Sequence, residues 1–95
     1  MKERIFNLYA KKVGQLFNIT PEEMFKKSKA RECVDARHLL YYMCSQRLMR
    51  YIQKYMKENG YDINHSSIIH GINVMKEKIS EDSDYIEVIN SFENV

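Results

Sequence analysis

Asn64, His65, Ser66, Ser67, His70 and Asn73 place short, neutral hydrogen-bonding side chains close together, in a stretch with no acid before Glu77. An ordinary solvent-facing helix is laced with Glu and Lys pairs. A helix offered to the edges of nucleic-acid bases instead needs small donors and acceptors at its N-terminal end. The competing reading is a merely polar first turn on a core helix. Catalysis fits these residues poorly, because neither His65 nor His70 has a nucleophile or a carboxylate at a helical neighbour position. His38, His65 and His70 form no usual ligand pair with each other or with Cys33 and Cys44, so no metal or cofactor is expected.

These groups need a helix to hold them, and the same stretch supplies one. Ile68, Ile72, Met75 and Ile79, joined by Ile69, recur at helical spacing, and Asn64 is a good N-cap, so a helix is expected from Asn64 to Ile79. Upstream, Leu48, Met49, Ile52, Tyr55 and Met56 form a stripe that stops at Asn59-Gly60. The two helices and their Gly-containing turn, about residues 48–79, have the form of a helix-turn-helix.

Earlier in the chain, Ile5, Leu8, Tyr9, Val13 and Leu16 predict an amphipathic helix over Lys2 to Phe17. Thr20-Pro21-Glu22-Glu23 starts a short helix reaching about Phe25, through an N-cap threonine, a first-turn proline and a glutamate three residues after the cap. Lys26-Lys27-Ser28-Lys29 forms a basic loop that leads into a long helix from about Ala30 to Ser45. Cys33, Val34, Ala36, Leu40, Tyr41, Met43 and Cys44 make that helix apolar on more than one side, hence central, with Arg37 and His38 interrupting the surface. A break is expected near Ser45-Gln46. A last helix follows Glu81-Asp82-Ser83-Asp84, with Tyr85, Val88, Ile89 and Phe92 facing inward. No strand pattern occurs, so the 95 residues read as one all-α domain of about six helices.

The net charge of +2 conceals a strong segregation. Between Met24 and Lys57, Lys26, Lys27, Lys29, Arg31, Arg37, Arg47, Arg50, Lys54 and Lys57 face only Glu32 and Asp35. Such a block is the electrostatic footprint expected for a polyanion, here double-stranded DNA. The last third is acidic, which leaves a second reading in which it docks a basic protein partner. Seven tyrosines raise base stacking on single strands, but most sit at core spacing. Cys33 and Cys44 lie three turns apart on one helix, about 16 Å at the helical rise, too far to bridge. With no signal peptide and no long apolar run, a reducing cytoplasm away from membranes is the expected setting.

Two segments carry a family resemblance. Asn64-His65-Ser66-Ser67-Ile68-Ile69-His70-Gly71 looks like the signature Asp-His-Thr-Thr-Val-Leu-His-Ala of the C-terminal DNA-binding domain of the bacterial replication initiator DnaA, a helical domain related to the Trp repressor fold. Lys27-Ser28-Lys29-Ala30-Arg31-Glu32-Cys33-Val34-Asp35-Ala36-Arg37-His38 resembles that family's basic loop and the start of its long helix. The resemblance covers nearly the whole chain. It implies that His65, Ser66 and Ser67 touch bases in the major groove, that Lys29 takes the minor-groove position, and that Arg31 and Arg37 hold phosphate or base edges. It also implies a role in replication initiation, its regulation, or transcription control. Ile63-Asn64 stands where the family has Arg-Asp, which implies a different target sequence. Gly14, Gly60 and Gly71 stand alone, so no Walker-type phosphate loop accompanies the reader.

Overall fold

A computed structural model describes residues 1–92 of the chain. Among them are six α-helices and no strand: α1 (Lys2–Phe17), α2 (Pro21–Met24), α3 (Arg31–Ser45), α4 (Ile52–Glu58), α5 (His65–Glu81) and α6 (Asp84–Phe92). A 3-10 turn, Met49–Tyr51, leads into α4. The expected helix at Leu48 therefore begins four residues later, and α5 runs two residues past Ile79. Phe92, expected on the inner side of the last helix, has a side chain outside the described set. No helix is long and apolar enough to cross a membrane among the described residues.

α3 is the hub. Cys33, Ala36, Leu39, Leu40, Tyr41, Met43 and Cys44 are all buried, so α1, α2 and α5 pack around it as its near-continuous apolar surface requires. The helix ends where the Ser45 hydroxyl donates to the Tyr42 carbonyl at 2.6 Å. Leu48, 1% exposed, then turns back into the core. α1 corrects one expectation. Its buried stripe is Phe6, Tyr9, Ala10, Val13 and Gly14, while Leu8 and Leu16 are 36% and 46% exposed. Phe6-Tyr9-Ala10-Val13 satisfies the i, i+3, i+4, i+7 rule, and Leu8, two residues from Phe6, falls well away from that stripe.

The ends of the short helices are chemically defined. The Thr20 side chain accepts from the Glu23 amide at 3.2 Å, and Pro21 takes the first helical position. α4 closes in a Schellman motif: Gly60 has φ 91°, its amide donates to the Lys57 carbonyl, and the Tyr61 amide donates to the Met56 carbonyl at 2.9 Å. A side chain on residue 60 would strain that backbone. Gln53 Nε2 donates to the Ile63 carbonyl at 3.0 Å, tying α4 to the entry of α5. Asn64 Oδ1 then accepts from the Ser67 amide at 2.8 Å and caps α5.

α5 buries Ile68, Gly71, Ile72 and Met75 against the hub. Ile69 does not join that stripe; it is 36% exposed, because one residue's rotation from Ile68 carries it off the face that meets α3. The two helices approach closely at Gly71, where an added Cβ would lie 2.8 Å from His38 Cδ2 and 2.9 Å from Tyr41 Cδ2. Lys78 Nζ donates to Asp35 Oδ1 at 2.8 Å further along the same contact.

Candidate functional site

The N-terminal turns of α5 face the loop between α2 and α3 across an open groove of about 540 Å³. Lys27, Ser28 and Lys29 form one wall, and Asn64, Ser66, Ser67 and His70 form the other. Val34, Arg37, His38, Tyr41, Tyr61 and Ile63 line the space between them. Segments more than thirty residues apart in the chain are thus brought to one opening.

Each wall has its own source of order. The α5 wall begins at the Asn64 cap, so Ser66 and Ser67 project from the first turn of a regular helix, both exposed. The loop wall is held from beneath by Arg37. Its Nη1 donates to the carbonyls of Met24 (2.9 Å) and Lys26 (3.0 Å), and its Nη2 donates to that of Ser28 (2.7 Å). Met24 is the last residue of α2, whose final carbonyls have no partner within the helix, and Lys26 follows its cap residue Phe25. The Ser28 hydroxyl in turn accepts from the Ala30 amide at 3.1 Å.

This arrangement corrects two expectations. Arg37, expected to hold phosphate or base edges, is 5% exposed and points into the protein. The stretch around Lys29, expected as a flexible basic loop, has its backbone anchored just upstream by that guanidinium. Arg37 occupies the stripe of Cys33, Leu40 and Cys44 at helical spacing, and this is the signal that could have placed it inside. Sequence reasoning also passed over Tyr61, His38 and Tyr41 as parts of the site.

The remaining expected residues are at the surface. Lys27 and Lys29 are exposed, and neither belongs to an ion pair among the described residues. Arg31, its side chain 88% exposed, lies 3.9 Å from Asp35, a carboxylate already engaged by Lys78 at 2.8 Å. An exposed pair of that length contributes little, which leaves Arg31 available to an anion. Arg31 and His65 are both exposed but do not line the groove.

No known protein family, curated protein or solved structure matches the chain. What the site can do rests on its own chemistry. Burial holds the Tyr41 hydroxyl above its ordinary range, with Tyr61 adding to the effect and Arg37 opposing it, so the phenol stays neutral. Burial likewise lowers the pKa of His38, assisted by Lys78, His70 and Arg37 and opposed by Asp35. The floor is therefore uncharged apart from Arg37, whose cation has no carboxylate partner among the described residues. Lysines on one rim, a buried cation below and neutral donors on the other rim suit a polyanion whose edges carry hydrogen-bonding groups. Among the described residues no three His, Cys, Asp or Glu side chains converge as ligands.

Proposed function

We propose that this chain binds double-stranded DNA. The first turns of α5 enter the major groove with His65, Ser66, Ser67 and His70, and α4, its Gly60 turn and α5 act as a helix-turn-helix. The 26–30 loop follows the neighbouring backbone and presents Lys29 to the minor groove. The biological setting that fits the resemblance to DnaA is replication initiation, its regulation or transcription control. The observation that carries the reading is the shared groove. Lys27 and Lys29 on one side and Asn64, Ser66, Ser67 and His70 on the other meet at one surface, although nothing in the core requires a cationic loop to stand opposite an acid-free helix end.

Salt dependence tests it. With Arg37 buried, the cations free to meet phosphates near the groove are Lys26, Lys27, Lys29 and Arg31, joined by neighbours further along the chain. Neutralising about four to five phosphates gives a slope of log affinity against log salt of about −4. A slope near zero, or no duplex binding at low salt, would remove the proposal. It would favour instead a protein-docking role for the acidic end of the chain, where Ile86 is 49% exposed near Asp82, Asp84 and Glu87.

A further inference from the structure

Arg37 comes from α3 and Tyr61 from the turn before α5; the first is buried and the second half-buried. The Arg37 guanidinium carbon lies 4.8 Å from the centre of the Tyr61 ring, while its edges donate to the carbonyls of Met24, Lys26 and Ser28. One planar cation thus uses its rim on the basic loop and its face on the turn before α5. Tyr61 is held in turn by its backbone amide, which donates a hydrogen bond to the Met56 carbonyl, the last link of the motif that ends α4.

We infer that Arg37 and Tyr61 together form a latch that fixes the basic loop against the α4–α5 turn and sets the spacing of the two groove walls. They are positioning residues and touch no DNA. The inference rests on the DNA-binding reading for its consequence, but not for its geometry. Lysine cannot replace arginine here, because an ammonium has no planar fork to serve three carbonyls while stacking on a ring. Fixing the loop before binding removes an ordering cost that a free loop would meet on contact with the duplex.

The test is a double-mutant cycle with Arg37→Lys, Tyr61→Leu and the pair, with Tyr61→Phe as the conservative control. Hydrogen exchange at the Lys26 and Ser28 amides is read in the free protein, and affinity is read on a duplex chosen from a random pool. Both amides bond within the loop region, to the carbonyls of Glu23 and Lys26, so they report its posture. Each single variant should speed that exchange and weaken duplex binding by several-fold to about tenfold, the range of a partly desolvated cation–π contact. The double variant should be no worse than the worse single one, as coupled residues require. Tyr61→Phe should match the parent, since the ring face makes the contact. Independent losses that multiply in the double variant would overturn the latch. So would an Arg37→Lys protein that binds weakly with unchanged exchange, because Arg37 would then be a direct contact. Should Arg37→Lys fail to fold, Tyr61→Leu against Tyr61→Phe still decides, by the exchange rates alone. A parent protein that binds no duplex would remove the DNA reading and its consequence here, while accelerated exchange in Tyr61→Leu would still support the latch.

Discussion

His38 stands where three demands meet. Its ring packs against Gly71 on α5, sits edge-on to His70 at 6.2 Å between centroids, and has a buried Nδ1 with no hydrogen-bond partner among the described residues. Protonation would place a cation in that space beside Lys78, His70 and Arg37, with only Asp35 to favour it. The folded state therefore keeps His38 neutral, whereas the unfolded chain takes up its proton near the ordinary value of about 6.5. Below that pH the unfolded state binds more protons, so stability is present above it and is lost as pH falls. Thermal melting should be flat near pH 8 and should decline between about pH 7 and 5. In His38→Gln that decline should be shallower. A melting temperature that rises on acidification, and does so only with His38 in place, would mean the folded state prefers the imidazolium.

At the scale of the element, α5 joins two faces with different duties, and they should separate on substitution. Ile72 is 5% exposed against the hub, so Ile72→Ala should cost about 2–5 kcal/mol of stability, the range for large-to-small core changes, and all function should fall with it. Ser66 is exposed on the groove wall, so Ser66→Ala should change stability by no more than about 0.5 kcal/mol while weakening a selected duplex. Denaturant melts on both variants check this, and equal losses would show that the faces had been exchanged. Such faces are legible in sequence because α5 has a single apolar stripe and a side-chain cap. The start of α2 and the stop at Gly60 were legible for similar reasons of local chemistry. The inner face of α1 was legible only in part: its bounds, Tyr9 and Val13 were as expected, but Phe6 competes with Leu8 and Leu16 for the inner position and only the surface of α3 decides between them. Arg37 was read as a surface cation because its acceptors are backbone carbonyls, which leave no mark in the residue alphabet.

At the scale of the whole molecule, charge and shape act together. The domain measures 32 × 30 × 25 Å, close to one turn of duplex at about 34 Å, so one copy can reach a major groove and the minor groove beside it. In the proposed complex the exposed cationic residues between Met24 and Lys57 would supply attraction without sequence preference, and discrimination would come from the groups at the groove walls. The two walls should differ in what they read. Lys29 stands on an anchored loop with a free ammonium, suited to the strong negative potential of a narrow minor groove over A·T-rich steps. Ser67 stands on a capped helix end, where its backbone amide is bonded to the Asn64 side chain, so in the proposed complex its hydroxyl would be offered to base edges from a fixed backbone, and a good contact there is worth about 1–3 kcal/mol against the wrong base. Lys29→Ala should therefore weaken selected and random duplexes together, most of all with A·T-rich flanks. Ser67→Ala should lower affinity for the selected duplex alone and narrow its advantage over random DNA. Both variants are to be measured on both duplexes at one salt concentration, because the shared electrostatic attraction changes steeply with salt. If Lys29→Ala abolished discrimination and Ser67→Ala preserved it, sequence would be read by the loop, and α5 would serve as its support.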